Sequence, residues 1–275
     1  ATVAATNKGP YGLITPDRAT TEYCYKTYYG QNTVIRRTNV IGHRGNPSQA
    51  PENTILGTQT AYNNGATMVE NDVYLAADGV VMVMHDEKLD RTTNGTGKVV
   101  DLTSTQIKKF VVDYYSGVAA QPIPTLEDYL KTIKGKDHQK LVIEMKHPAN
   151  ESLAKAVADQ IKKYDIMDQV VVISFIQANL EYISKQLPGI SVGLLTWQNL
   201  DDTNPVYSTY EVLENIQAYN SVCNPGSSGW GSPVIRELAY RGVTLWPWTV
   251  NTQAQFDKWM IEGVGGITTD YSQYS

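Results

Sequence analysis

The sequence predicts an α/β fold, specifically a (β/α)8 TIM barrel with a subdomain inserted after the second barrel strand. From Thr38 onward, short runs of β-branched residues alternate with amphipathic stretches, as is typical of parallel strands joined by helices. The candidate strands number eight, which is the number that closes such a barrel. Residues 1–36 show neither a helical nor a strand period, so we interpret them as an N-terminal extension ahead of a barrel domain at 37–275.

Each predicted element has a local signal. Strands are expected where apolar and β-branched residues cluster, at 39–42, 68–75, 141–146, 169–175, 190–196, 220–224, 243–250 and 265–270. Helices are expected where apolar residues recur at helical spacing, at about 52–64, 125–134, 151–164, 177–187, 205–218, 231–241 and 252–262. Asn53 and Thr54 can cap the first helix, Thr125 the second, and Asn251 or Thr252 the last.

The segment from Asp78 to Pro124 interrupts this alternation. It is too long for a simple barrel loop, and it contains the sequences VVMVMHD and RTTNGTG and a short polar helix, DLTSTQIKKF. We place the insertion itself at about 86–124. Long excursions at the C-terminal face of a barrel shape substrate access, so the insertion is a candidate lid or pocket wall.

Composition narrows the possible partners. With 23 Lys and Arg against 28 Asp and Glu, the formal charge is -5, and no basic cluster suits a nucleic-acid backbone. No apolar run approaches the roughly 20 residues of a transmembrane helix. A small polar substrate is therefore expected, while the oligomeric state stays unknown.

The same composition bears on the cellular setting. Charged residues make up only 19% of the chain, a low share that favours a secreted or cell-surface protein, although a cytoplasmic location stays open. Cys24 and Cys223 lie far apart, and the sequence leaves open whether they form a disulfide or remain two buried thiols.

Carboxylates cluster at the C-terminal ends of neighbouring predicted strands, where TIM-barrel active sites lie. Glu70 and Asp72 stand two residues apart, so both side chains share one face of a strand, and Glu144 and Lys146 repeat that spacing on the next barrel strand. Three adjacent carboxylates repel one another, and a divalent cation relieves the repulsion. All-oxygen ligation favours Mg²⁺ or Ca²⁺ over zinc, so we predict one such ion; surface salt bridges are the alternative interpretation.

Two histidines follow hydrophobic strands in the same region, His43 in IGHRG and His85 in MVMHD. An imidazole can accept or donate a proton near neutral pH, and two of them beside one metal ion suit the hydrolysis of a phosphate ester. One would deprotonate the attacking oxygen and the other would protonate the leaving oxygen. Arg44 would stabilise charge on the phosphate oxygens.

The ordered series IGHRG, PENT, E-x-D, HD with RTTNGTG, PTLE, IExK, WTVN and GITTD resembles the glycerophosphodiester phosphodiesterase family over residues 39–271. The resemblance implies metal-dependent hydrolysis of glycerophosphodiesters to glycerol 3-phosphate and an alcohol. It implies that His43 and His85 are the acid–base pair and that Arg44 and Lys146 contact the phosphate. The implied metal ligands are Glu70, Asp72 and Glu144.

Four further residues are expected around this site. Trp248 and Phe175 end predicted strands and are expected to bound the glycerol or alcohol part of the substrate. Glu52, in PENT, and Asp86, next to His85, are expected to support the residues that contact the substrate.

Other functions stay open at this stage. A phospholipase D-like enzyme, similar to the sphingomyelinase D toxins, would release a cyclic phosphate from a comparable site. A non-catalytic barrel that binds membrane or cell-wall headgroups is also compatible with the fold. An exported enzyme of the same chemistry could instead cleave glycerophosphate links in teichoic acids.

Overall fold

The computed structural model describes residues 38–197, 205–216 and 222–274. The N-terminal extension predicted at 1–36 lies outside the described residues, as does Cys24, so both alternatives for the cysteines, a disulfide or two buried thiols, stay open. The other cysteine, Cys223, is buried in the main apolar core.

The strands form one large parallel sheet and a small hairpin. In chain order they are β1 (Asn39–Gly42), β2 (Met68–Leu75), β3 (Val81–Val83), β4 (Val111–Val112), β5 (Gln121–Pro122), β6 (Lys140–Met145), β7 (Val170–Ser174), β8 (Ser191–Thr196), β9 (Val222–Pro225) and β10 (Gly266–Thr269). The parallel order is β10-β1-β2-β6-β7-β8-β9, with β3 antiparallel to β2. This is the TIM-barrel sheet that the strand count predicts.

The predicted strand at 243–250 keeps its barrel position without forming a regular strand. On the β9 side, the Trp248 N–H donates to the Pro225 carbonyl at 2.9 Å. On the β10 side, the Thr268 N–H donates to the Pro247 carbonyl at 2.9 Å. Proline has no N–H to continue a ladder, so the barrel closes here through an irregular segment.

The helices lie where the sequence places them, with shifted ends. They are α1 (Ile55–Asn63), α2 (Ser104–Ile107), α3 (Leu126–Ile133), α4 (Glu151–Tyr164), α5 (Gln177–Gln186), α6 (Pro205–Ile216), α7 (Ser232–Tyr240) and α8 (Gln253–Ile261). The hydroxyl of Thr54 caps α1, and capping boxes at Thr125 and Thr252 begin α3 and α8. No helix among the described residues is long and apolar enough to be a membrane span.

The inserted segment between β2 and α3 has an apolar core of its own. It contains β3, short helical turns, α2 and the β4–β5 hairpin. Leu89, Val99 and Ile107 are fully buried there against Met82 of β3. The insertion is therefore a packed unit attached to the C-terminal half of β2, beside the ends of the barrel strands.

Candidate active site

The register of β2 and β6 gathers three carboxylates. Asp72 and Glu144 are direct partners across the two strands, and Glu70 precedes Asp72 on the same face. One oxygen of each carboxylate lies within 4.8 Å of the others, and all three side chains are buried. The structure thus brings together the three predicted metal ligands.

Burial has the largest effect on the pKa values of the two glutamates in this cluster. Burial, with the added repulsion of Asp72, raises the pKa of Glu144 to about 8. Burial also raises the pKa of Glu70 well above its usual range, and Asp72 and Glu144 add to the effect. The pKa of Asp72 is instead lowered: burial opposes this, but Lys146, His85 and Arg44 together outweigh it. The Lys146 Nζ lies 2.9 Å from Glu144 Oε1 and 3.3 Å from Asp72 Oδ1.

One buried oxygen indicates what the cluster can hold. Oε1 of Glu70 has no hydrogen-bond donor among the described residues, whereas Oε2 accepts from the Arg44 N–H at 2.9 Å. A buried carboxylate oxygen without a donor is costly unless a cation meets it. The all-oxygen donor set therefore fits a hard divalent cation such as Mg²⁺ or Ca²⁺.

A tight turn after β1 aims Arg44 at this cluster. Arg44 has a left-handed φ of 52°, and Gly45 follows at φ 100°. A Cβ on Gly45 would lie 2.7 Å from the Gly57 carbonyl carbon, so only glycine fits the close approach. The Arg44 Nη1 donates to Glu52 Oε1 at 3.1 Å, while its buried Nε lacks a hydrogen-bond acceptor among the described residues.

Both predicted histidines pair with an aspartate. His43 Nδ1 lies 2.7 Å from Asp270 Oδ1, and His85 Nδ1 lies 2.6 Å from Asp86 Oδ1. Asp270 is held in turn by the Asn251 amide, which donates to Oδ2 at 2.6 Å. Because Nδ1 of each ring is occupied, Nε2 is the nitrogen left to exchange a proton with a bound molecule. Burial lowers the pKa of His85 despite the nearby carboxylates.

One cavity of about 310 Å³ unites these groups. Its walls comprise His43, Arg44, Glu70, His85, Glu144, Lys146, Ile173, Phe175, Leu195, Trp197, Asn224, Trp248, Thr249 and Thr268. Phe175 and Trp248 pack edge to face with ring centroids 5.3 Å apart, and Trp197 stacks on Phe175 at 5.8 Å. The cavity is thus charged on one side and aromatic on the other.

Comparison with known proteins identifies the family. A model of the glycerophosphoryl diester phosphodiesterase family matches residues 43–273. The chain belongs to this family. The chain is similar to a glycerophosphodiester phosphodiesterase of Caldanaerobacter subterraneus, with 34% identity over 85% of this chain and 94% of the relative. A Bacillus subtilis protein of the same name is 31% identical over 98% of this chain and 88% of its own length.

Solved structures of the family share the fold. A phosphodiesterase of Oleispira antarctica, in complex with the product sn-glycerol-3-phosphate, matches with a TM-score of 0.77 and 25% identity over 86% of this chain and 94% of that chain. A Silicibacter pomeroyi protein described as a glycerophosphoryl diester phosphodiesterase matches with a TM-score of 0.76 at 23% identity, over 86% and 90% of the two chains.

The site of this family member also contains residues that sequence reasoning missed. Asn53, expected only as a helix cap, donates from Nδ2 to Asp72 Oδ2 at 2.8 Å. Asp270 and Arg91 lie inside the motifs GITTD and RTTNGTG. The motifs mark both residues in the sequence, but they do not indicate what either side chain contacts. Trp197 directly follows β8, just as Phe175 directly follows β7. Its position after a predicted strand could therefore have identified it from the sequence.

Proposed function

We propose that the chain hydrolyses small-molecule glycerophosphodiesters to glycerol 3-phosphate and an alcohol, with the help of one divalent cation, Mg²⁺ or Ca²⁺. Membership of the family supports phosphodiester hydrolysis, and the product named for the Oleispira structure supports glycerol 3-phosphate. The observation that carries the proposal is one cavity lined by both histidines and by Glu70 and Glu144. These two glutamates belong to the cluster of three buried carboxylates within 4.8 Å of one another, and each histidine is paired with an aspartate.

The charged side of the cavity would bind the phosphate. Glu70, Asp72 and Glu144 would hold the cation, which when bound supplies a positive charge for the phosphate oxygens. The guanidinium of Arg44 and the ammonium of Lys146 add two donors on the same side. The charges of three negative and two positive side chains nearly balance. One cation and one phosphate can therefore bind together without a large excess of either charge.

The two histidines would move the protons. Each keeps Nε2 for proton exchange, because Nδ1 is paired with a carboxylate 2.6 or 2.7 Å away. In hydrolysis one ring accepts a proton from the attacking water and the other donates a proton to the departing alcohol oxygen, so the atoms and charges balance. Phe175 and Trp248 would bound the glycerol or alcohol part, away from the charged wall.

Phosphorus NMR in ¹⁸O-labelled water tests this function. Glycerophosphocholine is incubated with the protein and Mg²⁺ or Ca²⁺, and the products are observed without quenching. We expect free choline and glycerol 3-phosphate that carries one ¹⁸O on phosphorus, because water attacks the phosphorus atom. A cyclic phosphate would instead indicate the phospholipase D-like reaction, and no product from any glycerophosphodiester would indicate a binding barrel.

We also propose that the chain acts outside the cytoplasm. Its charged residues make up only 19% of the sequence, which supports an exported or cell-surface protein. If so, a glycerophosphate polymer of the teichoic-acid type is a second substrate to compare with glycerophosphocholine. Fractionation of the native host, followed by detection of the chain in medium, wall and cytosol, tests the location; a purely cytosolic signal contradicts it.

A further inference from the structure

Arg91 connects two parts of the site without lining the cavity. It ends a short helical turn, Leu89–Arg91, in the inserted segment. Its Nε and Nη2 donate to the two oxygens of Asp86 at 2.6 and 3.0 Å. Its Nη1 and Nη2 donate to the two oxygens of Glu52 at 3.0 and 2.7 Å. One planar guanidinium therefore binds two carboxylates bidentately, a geometry that an ammonium group does not offer.

Each of these carboxylates holds a residue of the cavity wall. Oδ1 of Asp86 lies 2.6 Å from His85 Nδ1. Oε1 of Glu52 accepts from Arg44 Nη1 at 3.1 Å. The result is a continuous chain of contacts that runs from the histidine after β3 to the arginine after β1, with Arg91 at its centre.

The burial of Glu52 distinguishes this chain from an ordinary surface ion pair. The Glu52 side chain is only 11% exposed, and its backbone N–H donates to the Tyr114 hydroxyl at 2.9 Å. Exposed ion pairs contribute little, but a buried carboxylate left short of donors is costly. Without Arg91, Glu52 keeps one arginine, and Asp86 loses the two donors that fix its orientation toward His85.

The charge on Asp86 is consistent with this arrangement. The hydrogen bonds from Arg91, followed by the contact with His85, lower the pKa of Asp86 to about 2 against the effect of burial. Asp86 is therefore an anion throughout the neutral pH range. Its bond to Nδ1 leaves Nε2 of His85, a residue of the cavity wall, for proton exchange.

We propose that Arg91 is a positioning residue, which holds Asp86 against His85 and, through Glu52, holds the Arg44 guanidinium beside the bound phosphate. The inference rests on the proposed function of the site and adds a residue from the inserted segment to it. The insertion then organises the site, although no residue at 86–124 is among those that line the cavity.

Three variants test the proposal: Arg91→Ala, Arg91→Lys and the control Lys98→Ala. Lys98 lies in the same inserted segment, its side chain is 44% exposed like that of Arg91, and its Nζ pairs with Glu87 Oε1 at 2.8 Å. Neither Lys98 nor Glu87 is among the residues that line the cavity. Turnover of glycerophosphocholine is measured at saturating metal ion, with thermal unfolding as a check that each variant is folded.

We expect Arg91→Ala to lower kcat by about 10- to 100-fold, the loss typical when a residue that orients a metal ligand is removed. Arg91→Lys should recover only part of this, because a point charge cannot bind both carboxylates bidentately. Millimolar guanidinium chloride should partly restore Arg91→Ala, while equal sodium chloride should not. Lys98→Ala should stay within twofold of the wild type.

An NMR measurement gives a result that does not depend on turnover. The ring N–H proton that His85 shares with Asp86 should be lost or broadened in Arg91→Ala and retained in Lys98→Ala. If the wild type hydrolyses no glycerophosphodiester, the proposed function fails while this measurement still tests Arg91. If Arg91→Ala does not fold, Arg91→Lys carries the test. Wild-type turnover and an intact N–H signal in the Arg91 variants would overturn the proposal.

Discussion

The carboxylate cluster predicts an unusual dependence of stability on pH and metal ion. The pKa of Glu144 in the folded, metal-free protein is about 8, against an ordinary value near 4.5, chiefly because of burial. The folded state therefore binds this proton more tightly than the unfolded chain does. It follows that the free energy of unfolding falls as pH rises from about 4.5 to about 8. The substitution Glu144→Gln removes the charge and keeps the side-chain size.

The expected size of the effect follows from the pKa difference. A difference of 8 minus 4.5, or about 3.5 units, corresponds to about 5 kcal/mol once the group is fully ionised, at about 1.4 kcal/mol per unit. At pH 8 the carboxyl is half ionised in the folded state, so the free energy of unfolding of Glu144→Gln should exceed that of the wild type by about 4 kcal/mol. In a domain of this length, such a difference raises the Tm of the variant by roughly 8–16 °C. At pH 4 the two proteins should unfold at nearly the same temperature.

The stability difference between the wild type and Glu144→Gln is measured by scanning calorimetry at pH 4 and pH 8. The scans are run with a chelator and then repeated with Mg²⁺ and Ca²⁺. With ion at 100 times its Kd, the wild type should gain about 2.7 kcal/mol, and the variant less, because it lacks a charged ligand. Glu181→Gln is the control, since Glu181 is an exposed partner of Lys185 on α5 and should change stability by less than about 0.5 kcal/mol. A metal-free Glu144→Gln protein no more stable than the wild type at pH 8 would refute the reasoning.

Three further predictions concern catalysis and packing. His43→Ala and His85→Ala should each lower kcat on glycerophosphocholine by about 10²- to 10⁴-fold without loss of fold; wild-type turnover would remove that residue from the mechanism. Phe175→Ala should raise KM more than it lowers kcat in steady-state kinetics, since the proposed contact of its ring with the substrate would be the same in ground and transition state; a fall in kcat alone would contradict this. Leu130→Ala, at a fully buried position of α3, should cost about 2–5 kcal/mol in denaturant unfolding and leave kcat within twofold.

The fold is predictable from the sequence because its signals are local. β-branched runs and helical periodicity locate the regular barrel strands and the helices to within a few residues. The segment 243–250 shows the limit of such patterns: Pro247 prevents a regular ladder, although the segment still bonds both neighbours. The helix predicted at 52–64 begins only at Ile55, because Asn53 adopts a left-handed φ of 53° and bonds Asp72 instead.

The site is predictable where strand spacing alone determines geometry. Glu70 and Asp72 share a face because strands alternate, and the register with β6 then adds Glu144. The partners of the histidines depend on contacts between distant segments: His43 meets Asp270 across 227 residues of sequence. Arg91 binds Asp86 within the inserted segment and Glu52, which lies 39 residues away in sequence. Spacing along the chain gives no measure of the second distance.

Metal-dependent turnover tests the central claim most directly. The purified chain is stripped of divalent ions with a chelator, and release of glycerol 3-phosphate from glycerophosphocholine is followed before and after Mg²⁺ or Ca²⁺ is restored. The carboxylate cluster of Glu70, Asp72 and Glu144 predicts that turnover disappears with the chelator and returns with one of the two ions. Unchanged turnover in the fully chelated protein would contradict the assignment of these carboxylates as metal ligands.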